Sequence, residues 1–355
     1  MNRSSVLAAA TTVGLTFSLA ACGGSTGGAG GGSGSGQAGG GDCSKPETFC
    51  IGMVTDMGKV DDKSFNQSAW EGVQKVAQET GAQTKYIETT DTKDYAANLK
   101  QFTDKKFDVV VTVGFLVQDA TAEAAKAAPD TKFIGVDQNH DGESGNVTGL
   151  VFPEDQAGYA AGYLAGLMTT SDHVGQVLGQ EIPPVEKFAK GFSAGAKAAN
   201  PKVKVSQVYH PAGDNAFNDP VWGANAAKQQ LSQGADIVFA AGGKTGNGAI
   251  AEVAKAPKAG NGTYCIGVDT DQWETVPEAH GCLITSATKL ITEGTVELLN
   301  QAKAGTMKPG DFTYKAGLAP YHDFENKVPA DVKTKVDGVV KGLADGSIET
   351  GVTLD

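Results

Sequence analysis

The stretch Asp108-Val109-Val110-Val111-Thr112-Val113-Gly114 returns later in the chain as Asp236-Ile237-Val238-Phe239-Ala240-Ala241-Gly242. Each copy is a short apolar run opened by an aspartate and closed by a glycine. That pattern reads as a strand buried on both faces and followed by a tight turn. One strand further on from each copy, Ile134-Gly135-Val136-Asp137 matches Ile266-Gly267-Val268-Asp269. Order and spacing agree over a whole βαβ unit, so the pattern predicts two similar lobes rather than one large sheet.

Working outward from these pairs, further strands are expected at Cys50–Thr55, Gln83–Ile87, Val109–Val113 and Lys132–Val136. Their counterparts are His173–Leu178, Lys202–Tyr209, Ile237–Ala241 and Tyr264–Val268. Amphipathic helical patterns lie between them, at Gln67–Thr80, Tyr95–Asp104, Val185–Ala199 and Val221–Gln233. Strand–helix alternation with apolar strands indicates an α/β protein with parallel sheets covered by helices on both faces. Doubly wound sheets take ligands at the carboxyl ends of their strands, so two facing lobes would enclose a cleft lined by βα loops.

Chain exchange between the lobes is expected at three crossovers. Gly149–Phe152 leads into a helix over Asp155–Met168, and Leu283–Ser286 leads into a helix over Lys289–Gln301. A third crossover falls near Gly317–Pro320. The resulting division is 42–153 with 286–317 as the N-terminal lobe, and 154–285 with 318–355 as the C-terminal lobe. Several crossing segments make a stiff hinge suited to rigid-body closure.

The first residues read as an address. Arg3 is the only charge before a largely apolar stretch from Val6 to Leu19, the pattern of a signal peptide over residues 1–21. Leu19-Ala20-Ala21-Cys22 resembles the lipobox of bacterial lipoproteins, which implies cleavage before Cys22 and acylation of that cysteine. Residues 23–41 are almost all Gly, Ser, Ala and Thr, a composition that behaves as a flexible tether reaching roughly 20–25 Å. The expected location is the outer face of the cytoplasmic membrane, held by lipid alone. Formal net charge is −12, and loss of Arg3 makes it −13, which argues against a nucleic-acid surface. Four cysteines remain in the exported part, Cys43, Cys50, Cys265 and Cys282. Of the three possible pairings we favour the local ones, Cys43–Cys50 and Cys265–Cys282. The five histidines are scattered and no CxxC pair occurs, so no metal site or other cofactor is expected.

Two loops carry polar groups around a phenylalanine at a helix start: Thr55 to Gly72, with Ser64-Phe65-Asn66-Gln67, and Asn215-Ala216-Phe217-Asn218-Asp219-Pro220. Two rings from opposite lobes would clamp a flat ligand; the same rings would also serve as helix staples or core. Gly243-Lys244-Thr245 is no P-loop, because Val238 stands where that motif needs a glycine. No Gly-x-Ser-x-Gly elbow with a base is present, and Asp61-Asp62 reads as a solvated loop, so no enzyme activity is expected.

These stretches, taken in order, resemble the basic membrane lipoprotein family of PnrA-like purine nucleoside receptors. The similarity runs from Phe49 to Asp355. It includes Val113-Gly114-Phe115 leading to Asp119-Ala120, Gly242-Gly243-Lys244-Thr245-Gly246, Gly267-Val268-Asp269-Thr270-Asp271-Gln272 and Thr285-Ser286-Ala287-Thr288-Lys289. The resemblance implies the type I periplasmic-binding-protein fold and delivery of nucleosides to the permease subunits of an ABC transporter. It makes Phe65 and Phe217 the plates of a sandwich around the base. Asp56, Asn66 and Asp137, with Asp119, would face the base, while Gly243, Asp269 and Lys289 would hold the ribose. Lys244, Asn247 and the stretch His210–Asn215 depart from the family pattern. The expected state is a monomer. A sensor or a sugar-binding receptor of the same fold is the alternative.

Overall fold

Apolar runs flanked by turn residues become strands, and the longer amphipathic runs between them become helices that cover both faces of two sheets. The computed structural model describes residues 37–38, 42–45, 47–142 and 145–354. The expected signal peptide, the Cys22 acylation site and, apart from 37–38, the tether lie outside the described residues. The first sheet contains β1 (Gln37–Ala38), β2 (Cys50–Thr55), β3 (Gln83–Ile87), β4 (Val109–Val113), β5 (Lys132–Val136), β6 (Val147–Val151) and, from far along the chain, β12 (Gly310–Thr313). Its order is β1-β3-β2-β4-β5-β6-β12. The second holds β7 (His173–Leu178), β8 (Lys204–Tyr209), β9 (Ile237–Ala241), β10 (Tyr264–Asp269), β11 (Leu283–Lys289) and β13 (Ala316–Leu318), in the order β13-β11-β10-β9-β7-β8. Among the described residues only β1 and β13 pair antiparallel.

Five strands of each sheet therefore follow one winding: β3-β2-β4-β5-β6 corresponds to β8-β7-β9-β10-β11. The repeated segments occupy equivalent places, β4 with β9 and β5 with β10. Even their leading aspartates do similar work. Asp108 Oδ2 accepts from the Cys50 N–H at 2.7 Å, and Asp236 Oδ2 accepts from the N–H groups of Thr170 at 2.7 Å and Ser171 at 2.9 Å. Each carboxylate pins the start of its sheet to the incoming chain.

The helices are α1 (Phe65–Thr80), α2 (Tyr95–Thr103), α3 (Gln118–Ala127), α4 (Glu154–Met168), α5 (Pro183–Ala199), α6 (Pro220–Ser232), α7 (Gly243–Val253), α8 (Gln272–Thr275), α9 (Ile291–Ala304) and α10 (Ala330–Asp345). Apolar strand residues such as Ile51, Met53, Val109 and Val111 pack beneath α1 and α9 in the first lobe. Val174, Ile237 and Ile266 do the same beneath α4 and α5 in the second. Each fully buried side chain of this kind contributes about 1.5–3 kcal/mol of transfer free energy. Disulfides join Cys43 to Cys50 and Cys265 to Cys282, with Cα separations of 5.7 and 5.1 Å.

The chain passes between the sheets at three places: after β6, after β11 and between β12 and β13. These passages touch. Leu290 N–H donates to the Lys315 carbonyl at 3.0 Å, and Tyr314 N–H to the Val151 carbonyl at 2.8 Å. Two boundaries differ from the expectation. Residues 286–289 stay in the second sheet as the end of β11, so the helix begins at Ile291 and Lys289 ends a strand. The third passage lies at Tyr314–Lys315, because Ala316–Leu318 already pairs with β11.

Candidate ligand-binding site

A cavity lies between the lobes at the carboxyl ends of β2, β4, β5, β9 and β10, the position at which doubly wound sheets take their ligands. Eight of the nine expected ligand residues border it: Asp56, Phe65, Asn66, Asp137, Phe217, Gly243, Asp269 and Lys289. Asp119 does not. It is exposed on α3 and borders a separate depression beside Cys43 and Lys100, because the turn of the helix carries it away from the strand ends.

Asp56 follows β2 at the point where the sheet's winding reverses. Its carboxylate is 5% exposed and accepts from the N–H groups of Met57 and, at 3.4 Å, Leu116. Burial pushes it up to about pKa 7 against the pull of those two N–H groups. The neighbouring strand must end in glycine here. Gly114 has φ 115°, and a Cβ on it would sit 1.8 Å from Asp56 Oδ2.

Asp62 is not a solvated loop acid, as the sequence suggested. It is 2% exposed and closes the start of α1. Oδ1 accepts from Ser64 N at 2.9 Å and Gln67 N at 3.1 Å, while Oδ2 accepts from Asn66 N at 2.9 Å and Asn66 Nδ2 at 3.0 Å. A burial penalty raises this carboxyl to about pKa 6, with those N–H groups working against it. Asn66 is thereby held at the cavity wall with its Oδ1 buried and without a hydrogen-bond partner among the described residues.

Asp137 and Asp269, the duplicated strand-end acids, both adopt left-handed backbone, with φ of 59° and 66°. The turn directs them to one cation. Lys289 Nζ is 2.5 Å from Asp137 Oδ2 and 3.5 Å from Asp269 Oδ1. Its ammonium also lies 4.6 Å from the Phe65 ring centroid and 5.4 Å from that of Phe188. Burial alone would lower the lysine pKa, but the charges of Asp137, Asp269 and Glu154 overcome this and hold it above its ordinary value. Lysine pairing thus accompanies the cavity-facing position rather than replacing it, and Asp137 Oδ1 remains without a hydrogen-bond partner among the described residues.

On the second lobe, Phe217 precedes Asp219, whose side chain caps α6 by accepting from Trp222 N at 2.9 Å. The Phe217 ring rests on Gly179, where a Cβ would meet it at 2.2 Å. This loop follows β8, whereas the Phe65 loop follows β2, whose counterpart is β7. The two Phe-Asn pairs are therefore not copies of one another. The true counterpart of the first loop is the turn from β7 into α5, which supplies Ile182, Pro184, Val185 and Phe188 to the cavity. Sequence reasoning missed these four; the Pro183-Pro184 pair at a helix start was the available signal.

The lobes also meet across the rim. Lys244 Nζ reaches Asp61 Oδ1 at 2.6 Å, Asn247 Nδ2 donates to the Asp62 carbonyl at 2.7 Å, and Ser64 Oγ bonds Asp269 Oδ2 at 2.9 Å. The two departures at 244 and 247 thus reach across to grip the first loop.

Residues 49–318 match the family profile of PnrA-like ABC transporter substrate-binding proteins. The chain belongs to this family. It is 32% identical over 326 residues to a CD4+ T-cell-stimulating antigen of Listeria innocua, covering 87% of this chain and 90% of that one. It is 32% identical over 227 residues to the ABC transporter nucleoside-binding protein BmpA of Lactococcus lactis subsp. cremoris, 62% of this chain and 63% of the relative. A solved structure of an ABC transporter solute-binding protein from Aeropyrum pernix superposes with a TM-score of 0.77 at 21% identity, over 85% of this chain and 92% of that one. The fold is thus that of type I periplasmic binding proteins, and membership of the family makes the chain an ABC transporter substrate-binding protein, a receptor by class. Among the described residues no helix is long and apolar enough to cross a membrane.

Proposed function

We propose that the cavity binds a nucleoside, purine nucleosides above all, and presents it to the permease subunits of an ABC transporter from the outer face of the cytoplasmic membrane. One observation carries this reading. A ring from each lobe, Phe65 and Phe217, borders the same cavity as acids and an amide suited to a base edge and a buried Lys289–Asp269 pair suited to a vicinal diol. The relative named as nucleoside-binding supports it. Base stacking on one ring would be followed by lobe closure, driven by the ligand's greater affinity for the closed arrangement. No step of catalysis is assigned to the site.

Isothermal titration of the chain with adenosine, guanosine, inosine, uridine and free ribose tests the assignment. Heat with the purine nucleosides and none with ribose is expected; no heat with any nucleoside would sink it. Phe65→Ala and Phe217→Ala should each weaken binding by at least about tenfold, the loss of a stacking contact together with part of the apolar burial. Acylation of Cys22 is the proposed anchor. Cys22→Ser should move the protein from the membrane fraction to the soluble fraction, and an unchanged distribution would count against the anchor.

A further inference from the structure

Asp62 is an acid of the cavity wall with both carboxylate oxygens engaged. Four donors converge on it, three of them backbone N–H groups at the start of α1 and the fourth the Asn66 amide, at 2.9–3.1 Å. Such a ring of donors is satisfied by an acceptor-only carboxylate. Turning the Asn66 amide over would bring its oxygen to the position now held by Nδ2, 3.0 Å from Asp62 Oδ2. Two acceptors would then face each other in a buried setting, so the amide has one permitted orientation. Its oxygen is left over. That atom is buried, has no hydrogen-bond partner among the described residues, and belongs to a residue bordering the cavity.

We propose that Asp62 is a positioning residue that locks the Asn66 amide with its oxygen toward the ligand, so that this wall of the pocket selects a base edge carrying an N–H donor. The inference deepens the nucleoside reading and rests on it. Adenosine offers such a donor at its 6-amino group, and inosine and guanosine offer one at ring N1. Purine riboside has the same shape and no N–H on its base, so it would leave the Asn66 oxygen unsatisfied in the closed site. Unpaired buried acceptors are what make polar sites discriminate more sharply than apolar ones.

The test is a titration of purine riboside against adenosine, guanosine and inosine at pH 7.5, on the full chain and three variants. The parent should bind purine riboside at least about tenfold more weakly than the best of the other three. Asp62→Asn frees the amide to turn, and the ratio should fall to about threefold or less. The exchanged pair, Asp62→Asn with Asn66→Asp, restores a carboxylate–amide contact and again leaves an acceptor facing the cavity. Its ratio should return to within about threefold of the parent, which a purely helix-capping role for Asp62 would not produce. Asn66→Ala should bind all four ligands with similar affinity. A parent that binds purine riboside as well as the others overturns the proposal, as does an Asp62→Asn variant that keeps the parent ratio. If Asp62→Asn does not fold, the exchanged pair and the parent decide. Failure of the nucleoside reading itself shows separately, as no heat with any of the four. In that event the side-chain amide of Asn66 still reports. In the ligand-free parent its NH₂ resonances should exchange slowly with water, and exchange at the solvent rate overturns the proposal without any ligand.

Discussion

Asp56, Asp62 and Glu154 are three acids that this fold places out of water, and each pays in proton affinity. Burial raises Asp56 to about 7 and Asp62 to about 6, both from 3.8, and Glu154 to about 7 from 4.5. Glu154 faces Lys187 at 3.4 Å without hydrogen-bond geometry, while the charge of Asp137 pushes its pKa up and that of Lys289 draws it down. A folded-state pKa above the unfolded value means that the folded chain binds more protons in between. Stability from these groups is therefore fullest below about pH 4 and is lost as pH rises through 6 to 7. His173 acts in the opposite sense, since burial lowers its pKa, but it is one group against three. Asp61, Asp91 and Glu252, held low by hydrogen bonds to lysines, the backbone and nearby cations, matter only in more acidic solution. The melting temperature of the ligand-free protein should accordingly fall between pH 5 and pH 8, and Asp56→Asn should flatten that fall. Thermal denaturation followed by circular dichroism measures it; a melting temperature that climbs over the same range would refute the assignment.

At the level of elements, the strands were legible because burial on both faces leaves an unbroken apolar run between turn residues. Val109–Val113 and Ile237–Ala241 stand where the pattern put them. The duplication was legible for the same reason, and it led to Asp137 and Asp269, whose shared left-handed backbone places both beside Lys289. What could not be read was which loops face each other, since that depends on strand order. The Phe65 and Phe217 loops look alike in sequence, yet one follows β2 and the other β8, which are a central and an edge strand of their sheets' common winding. Asp62 was misread because a polar loop gives no sign that four N–H groups will converge on one carboxylate. Asp119 failed for a geometric reason. It lies in the first turn of α3, where helical rotation decides which side chain looks toward the strand ends. The Lys289 boundary shows the reverse case, in which β11 outlasts its apolar stretch because Ala316–Leu318 pairs with its last residues.

Across the whole molecule, three passages of chain set the hinge and one loop sets the latch. The hinge is narrow, with Val151, Leu290, Tyr314 and Lys315 joined by backbone hydrogen bonds, so the lobes would move as rigid bodies. The latch is the segment Asp61–Ser64, gripped from the second lobe at five points: by Lys244 on Asp61, by Asn247 on the Asp62 carbonyl, by Thr275 on the Lys63 carbonyl at 2.8 Å, by Glu278 on the Lys63 ammonium at 3.4 Å, and by Asp269 on Ser64. These points differ in weight. Lys244–Asp61 is an ion pair with an exposed acid, contributing about 0–1 kcal/mol and less in salt. Asn247 is half-buried and is itself held by Gln272 Nε2 at 2.7 Å, so its bond to the first lobe is preorganised. Each such bond adds about 0.5–1.5 kcal/mol to the closed arrangement alone. A contact made only after closure acts on escape rather than on encounter. Asn247→Ala should therefore raise the nucleoside dissociation rate about three- to tenfold with little change in association rate. Lys244→Ala should change the dissociation rate by less than about fivefold, and that change should vanish in high salt. Stopped-flow fluorescence with a purine nucleoside separates the two rates. If Asn247→Ala instead slowed association and left dissociation untouched, the grip on Asp62 would be part of the open receptor, and closure would have to be assigned to other contacts.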